Sequence, residues 1–164
     1  MKKLLLIRHA KSSWADITQR DFDRPLNDRG NKDAPKMAKR LIKQDVSIDC
    51  FVSSPAVRAL TTAEYFAEAY DVKKKMIVQE PSLYHATIEV FFDIISRLND
   101  DHKTVAIFSH NPTITEFANE LGVARIDDMP TCAIFAVKAD IKSWKEFKDS
   151  IKNFWFFDYP KNGD

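Results

Sequence analysis

A chain of 164 residues with 45% apolar and 30% charged side chains is long enough to bury a sizeable core and is expected to form one globular domain over residues 1–164. Its formal net charge of +1 excludes the basic excess of a protein that coats nucleic acid, so any positive field must be local. Cys50 and Cys132 sit among apolar neighbours and read as free core thiols; the apolar part of Met1–Ile7 stops at Arg8, too short for a secretory segment, and no run can span a bilayer, so a cytoplasmic protein with no membrane or nucleic-acid partner is expected.

Apolar runs of strand length alternate with stretches of helical period, the pattern of a mainly parallel sheet with helices on its faces. Leu4 to Arg8 is the first strand. Lys11 to Asn27 is polar and irregular, with Trp14 and Phe22 as expected anchors, and a loop of this length in a compact domain is expected to fold over the strand ends and to serve function. The next helix carries Ala34, Met37, Ala38, Leu41 and Ile42 on one face, and Pro35 predicts that it begins near Asp33 or kinks there. Cys50 to Ser53 is the second strand; Ser54 and Pro55 then supply a cap and a first residue for a helix to about Tyr70 with Ala56, Leu60, Ala63 and Ala67 inward. A short strand is expected at Met76 to Gln79, and Thr87 is placed to cap a helix through Ile88, Phe91, Phe92, Ile95 and Leu98. Thr104 to Ser109 is a buried strand, Asn111 and Pro112 repeat the cap-plus-proline start, and Gly122 is placed to end the helix they open. Two further strands are expected at Cys132 to Val137 and Asn153 to Tyr159, around a short amphipathic piece holding Trp144 and Phe147.

Three of these strands end in polar loops that open helices: Arg8-His9-Ala10, Ser53-Ser54-Pro55-Ala56-Val57-Arg58, and Ser109-His110-Asn111-Pro112. Open α/β sheets bind ligands at such carboxyl ends, so two Arg and two His are expected to meet there. Arg58 falls in the first turn of its helix, where the macrodipole disfavours a cation by roughly 0.3–1 kcal/mol. An anion held by Arg58 and the helix end removes that conflict, although Arg58 can equally point to water or pair with Glu64. Two His near carboxylates also suit zinc, but an Arg beside each would repel a dication.

The stretches Leu4 to Trp14, Asp21-Phe22-Asp23-Arg24-Pro25-Leu26-Asn27, Ser53 to Ala59 and Ser109 to Pro112 resemble the histidine phosphatase (phosphoglycerate-mutase-like) superfamily, and within it the SixA-type phosphohistidine phosphatases. The resemblance implies a three-layer α/β/α sandwich with a mainly parallel central sheet. It implies His9 as the nucleophile that becomes phosphorylated, with Arg8, Arg58 and His110 holding the phosphoryl group, and it implies no metal or organic cofactor. Lys11, Arg24, Asn111 and His85 are the expected substrate contacts, with a solvated role left open for Lys11 and Arg24. Ala10 stands where the family's first motif commonly has Gly, so an ordinary backbone conformation is expected there.

Many superfamily phosphomonoesterases carry an acid for the leaving alkoxide; here Glu80, Tyr84, His85, Asp21 and Asp23 are the candidates, and none stands out. A site without a strong acid suits a phosphoramidate better than an alkyl ester, since nitrogen takes up a proton more easily. The expected activity is therefore hydrolysis of protein phosphohistidine or a related phosphoramidate, releasing inorganic phosphate. The alternatives are a phosphomonoesterase for a small metabolite and a non-catalytic module that binds phosphate or phosphohistidine.

Overall fold

The structure is a computed structural model that describes residues 1–163. Six strands form one sheet: β1 (Lys2–Arg8), β2 (Cys50–Ser53), β3 (Val78–Gln79), β4 (Thr104–Ser109), β5 (Ile134–Ala139) and β6 (Lys152–Asp158), in the spatial order β3-β2-β4-β1-β5-β6. The pairings β3–β2, β2–β4 and β4–β1 are parallel, whereas β5 and β6 close the sheet antiparallel. Four helices cover it: α1 (Asp28–Lys43), α2 (Val57–Ala69), α3 (Ile88–Ser96) and α4 (Thr113–Glu120).

The alternation of side chains along a strand divides the core in two. Leu4 and Leu6 of β1 join Val105, Ile107, Phe91 and Phe117 under α3 and α4, while Leu5 and Ile7 join Ala38, Phe66 and Phe108 under α1 and α2. All four β1 residues are fully buried, and each contributes roughly 1.5–3 kcal/mol of hydrophobic stabilisation. A strand covered on both faces has no polar alternation, which is why β1 reads as a continuous apolar run.

Several boundaries differ from the sequence reading, each for a local physical reason. α1 begins at Asp28, well before Asp33, because Asn27 caps it by accepting from the Gly30 N–H at 2.9 Å. Pro35 lies inside this helix, which continues without the bond a Pro35 amide would donate to Asn31. Ile42, expected inward, is 40% exposed. Neither Ser54 nor Asn111 caps a helix with its side chain: α2 follows Ala56, and α4 follows Pro112 across a cis peptide bond. β3 is reduced to two exposed residues because Met76 belongs to a 3-10 turn over Lys74–Met76. β5 starts at Ile134 because Cys132 sits at φ 62° in the preceding turn, its N–H donating to the His9 carbonyl at 3.0 Å. Cys50 is half-buried and Cys132 buried, both free.

The long loop does fold over the sheet edge, and α1 locks it there. The Asn27 N–H donates to the Lys11 carbonyl at 2.9 Å, and a Cβ added at Gly30 would lie 2.2 Å from that same oxygen. Alanine normally gains up to about 1 kcal/mol over glycine inside a helix. Here the clash is with backbone and cannot be relieved by a rotamer change. Gly30→Ala is therefore expected to destabilise the fold by about 1–3 kcal/mol, read as a lower urea midpoint with an unchanged m-value, and a raised midpoint would contradict this packing.

Candidate active site

β2, β4 and β1 are adjacent and parallel, so their carboxyl ends lie on one edge of the sheet. The ladder runs one step past each strand: His9 N–H donates to the Ser109 carbonyl at 3.1 Å, and Ser54 N–H to the Phe108 carbonyl at 3.0 Å. These bonds fix where the chain turns outward. Arg8, His9, Arg58 and His110 consequently line one cavity of about 210 Å³, together with Lys11 and Arg24.

His9 is 6% exposed, and its Nδ1 lies 2.8 Å from the carbonyl oxygen of Ala10. A carbonyl only accepts, so Nδ1 carries the proton and Nε2 keeps its lone pair. Among the described residues Nε2 has no hydrogen-bond partner. The Ala10 backbone is in turn held by its N–H donating to Thr62 Oγ1 at 3.0 Å, while the Thr62 hydroxyl donates to the Arg58 carbonyl at 2.8 Å. Ala10 is not among the residues with positive φ, so alanine is accommodated here without strain. Burial, aided by the nearby His110, Arg58 and Arg8, pushes the His9 pKa down to about 3, leaving a neutral imidazole at physiological pH.

Both guanidiniums are fastened at their outer nitrogens. Arg8 Nη1 donates to the Met129 carbonyl at 2.8 Å, with the Asp128 carboxylate 4.0 Å away. Arg58 donates through Nη1 to the Asp21 carbonyl at 2.7 Å and through Nη2 to the Asp21 carboxylate at 2.9 Å, so its partner is neither water nor Glu64. Among the described residues the inner Nε atoms of both arginines are buried and have no partner. The same holds for His110 Nδ1, while His110 Nε2 lies 2.8 Å from Ser54 Oγ. That hydroxyl also accepts from the Ala56 N–H at 3.2 Å; in the tautomer where it donates to His110 Nε2, Nδ1–H is the free donor. Burial, then Arg58, brings the His110 pKa down to about 3 as well. Each unpartnered buried polar group costs about 1–3 kcal/mol, and the three residues that carry them line one cavity.

The remaining expected residues divide. Lys11 and Arg24 line the same cavity; Lys11 is exposed, and Arg24 is 7% exposed, bonded to Ser12 Oγ at 2.6 Å and Asp21 Oδ1 at 3.1 Å. Asn111 borders it, but its amide is committed: Nδ2 donates to Asp128 and Met129, and Oδ1 accepts from Thr115. His85 lies outside, exposed and packed at a tilt of 40° against Tyr84 with ring centroids 4.2 Å apart, in a neighbouring cavity that also touches His110. Trp14, expected as a buried anchor, is 71% exposed because its ring rests on the Arg24 guanidinium rather than on the core. Phe22 is half-buried and meets Tyr84 edge-on at 5.0 Å.

Among the acid candidates, Glu80 is 3.5 Å from Arg97 and Asp23 is paired with Arg20. Asp21 reaches the site, but hydrogen bonds from Tyr84 at 2.6 Å and from Arg58 hold its carboxyl well below the usual carboxylate range. It is therefore an ionised clamp, with no proton to give. Tyr84 has its phenol pKa raised, by burial and by Asp21. Three supporting residues escaped the sequence reading in these roles: Asp21 as the partner of two arginines, Ser54 as the partner of His110, and Thr62 beneath Ala10. For Ser54 the misleading signal was the following proline, which imitates a helix start.

Residues 4–84 match the histidine phosphatase superfamily, branch 1. The chain is also 33% identical over 153 residues to an uncharacterized chloroplastic protein of Arabidopsis thaliana, covering 88% of this chain and 70% of that one. The chain belongs to the histidine phosphatase superfamily. A second relative, phosphoserine phosphatase 1 of Hydrogenobacter thermophilus, is 36% identical over 75 residues, which is 44% of this chain and 35% of that protein. Among solved structures, the protein histidine phosphatase SixA complexed with tungstate superposes with TM-score 0.83 at 22% identity, covering 99% of both chains. A SixA protein from Agrobacterium tumefaciens gives 0.79 at 24%, covering 97% of this chain and 98% of that one. At these identities the superpositions establish the histidine phosphatase fold over the whole described chain, including β4 and α4, which the family match does not reach.

The depressed imidazoles have a measurable signature. In ligand-free protein the ring resonances of His9 and His110 are expected to stay in the neutral form from pH 8 to pH 5, and a midpoint near 6.5 for either would contradict the burial described. The sign for stability follows: unfolded imidazoles take up protons below about 6.5 that the folded protein refuses, so stability is lost as pH falls from there toward 3, by up to ~1.4 kcal/mol per pH unit for each group.

Proposed function

We propose that this protein hydrolyses phosphohistidine, or a related phosphoramidate, through a phosphoryl-enzyme intermediate on His9. The observation that carries the reading is the set of three buried, unpartnered nitrogens, Arg8 Nε, Arg58 Nε and His110 Nδ1, on residues that line one cavity with a neutral imidazole whose far nitrogen is already bonded. Donors aimed where charge accumulates, in a cavity this small, suit the equatorial oxygens of a transferring phosphoryl group.

In the first step His9 Nε2 attacks phosphorus while the substrate's P–N bond breaks and its electron pair stays on the departing ring nitrogen. The far nitrogen of that ring carries a proton from solvent, so a neutral imidazole leaves and no enzyme acid is needed at the scissile atom. The Ala10 carbonyl stabilises the charge that His9 acquires at Nδ1. In the second step the oxygen of water attacks phosphorus, Nε2 recovers its lone pair, the water's protons pass to solvent and phosphate, and inorganic phosphate departs. The two guanidiniums supply the positive charge that other phosphatases draw from a metal, so activity is expected in chelator.

The acid inventory supports the choice of substrate class. Glu80 and Asp23 are paired elsewhere, and Asp21 is ionised by its partners. The alternative, a phosphomonoester of a small metabolite, is favoured by the likeness to a phosphoserine phosphatase and would need one of the two remaining candidates, Tyr84 or His85, as the proton source.

The test compares rates on a phosphohistidine peptide and an alkyl phosphomonoester, with chelator present. Faster cleavage of the peptide is expected; preference for the ester would overturn the substrate class and direct attention to Tyr84 and His85. His9→Ala is expected to abolish turnover of both, and undiminished turnover would remove His9 as nucleophile. Arg58→Ala is expected to weaken orthovanadate about 10-fold or more, the loss of a charged hydrogen bond, and unchanged affinity would remove its phosphoryl-binding role.

A further inference from the structure

Arg8, Arg58 and His110 are assigned above to the phosphoryl group, and no residue of the cavity is assigned to what leaves it. Trp14 lines this same cavity beside His9 and Arg58, yet its side chain is 71% exposed. It is also held in place. The Arg24 guanidinium lies 3.6 Å from the indole centroid, and Arg24 is itself buried and bonded to Ser12 Oγ, Asp21 and the Ser13 carbonyl. The chain on either side is strapped down: Ser12 bridges to Leu26, Ser13 N–H donates to the Pro25 carbonyl at 2.8 Å, and Ala15 N–H donates to Ser13 Oγ at 3.1 Å.

Folding alone gives no reason for this arrangement. An indole left in solvent forgoes roughly 25 cal/mol for each Å² it fails to bury, and the stack on a cation recovers only part of that. A rigid, exposed aromatic face at the mouth of a small polar cavity does, however, suit a second planar ring.

We infer that Trp14 is the specificity-determining contact for the leaving group, stacking its indole on the imidazole ring that is released as the phosphoryl group passes to His9. The inference rests on the N-phosphorylimidazole substrate proposed above and adds how that ring is recognised. Stacking needs no hydrogen-bond code, and a ring that departs neutral offers no charge for a salt bridge to grip. An alkyl amine or alkoxide leaving group has no face to stack, so Trp14 discriminates by shape rather than by polarity. Because the contact is made to the leaving group and not to phosphate, it separates from the anion-binding roles of Arg8, Arg58 and His110.

The experiment measures kcat/KM of the full chain on two phosphoramidates, N-phosphorylimidazole and phosphoramidate itself, whose leaving group is ammonia. Trp14→Leu is expected to lose about tenfold on N-phosphorylimidazole, within the range of one stacked ring, and to stay within about twofold on phosphoramidate. Trp14→Phe, which keeps an aromatic face, is expected to retain most of the wild-type rate on both. Orthovanadate affinity is expected to be unchanged in Trp14→Leu, which establishes that Arg24 and the cavity have not collapsed. Equal losses on both substrates, weakened vanadate binding, or no loss on N-phosphorylimidazole would each overturn the leaving-group role. If wild-type protein cleaves neither compound in a His9-dependent way, the phosphoramidate reading falls first, and this inference falls with it.

Discussion

A buried guanidinium and a half-buried one beside two histidines would repel one another and any proton that approached, and much of the molecule is arranged to contain that charge. Arg8 and Arg58 are each tethered by a backbone carbonyl, and Arg58 and Arg24 share the carboxylate of Asp21. Both histidines meet the constraint by staying neutral, since burial and the adjacent cations depress their pKa values together. A neutral imidazole fixed at Nδ1 is the nucleophilic form, so the electrostatics that make the pocket costly also prepare its chemistry.

The scaffold follows from the same need. Only parallel neighbours deliver successive loops to one edge, and β2, β4 and β1 are the parallel neighbours whose ends carry the site. Asp21 reaches Arg58 from a distant part of the sequence because the loop after β1 crosses that edge, and α1 holds the loop through Gly30 against the Lys11 backbone. Packing under α1 and the ionic clamp are thus parts of one assembly, in which a helix that carries none of the four principal residues helps to set the position of a guanidinium.

The sheet and the meeting of Arg8, His9, Arg58 and His110 in one cavity were legible in the sequence because their signals are local. Buried strands are short apolar runs, and Arg8, His9, Arg58 and His110 each follow one directly or by a few residues. Nothing local marks what those residues hold. Ser54 before proline has the grammar of a cap, yet its hydroxyl serves His110 across the sheet edge; Asn111 before Pro112 has the same grammar and ties down Asp128 and Met129 instead. Asp21 looks like any acid in a polar loop, and only the fold reveals that Arg24, Arg58 and Tyr84 converge on it. Trp14 misleads in the opposite sense, since a lone tryptophan in a polar loop suggests an anchor, whereas here a buried arginine supports the ring from below.

The central claim is covalent: the phosphoryl group rests on His9 Nε2 between the two steps. The most direct measurement is rapid quench into base during turnover of a phosphohistidine peptide, followed by mass spectrometry of the peptide containing His9. One acid-labile, base-stable phosphoryl group on His9 at early times, decaying as phosphate appears, is the result the account predicts. Phosphate release with no phosphorylated His9 at any time, or phosphorylation of another residue that persists in His9→Ala, would contradict it.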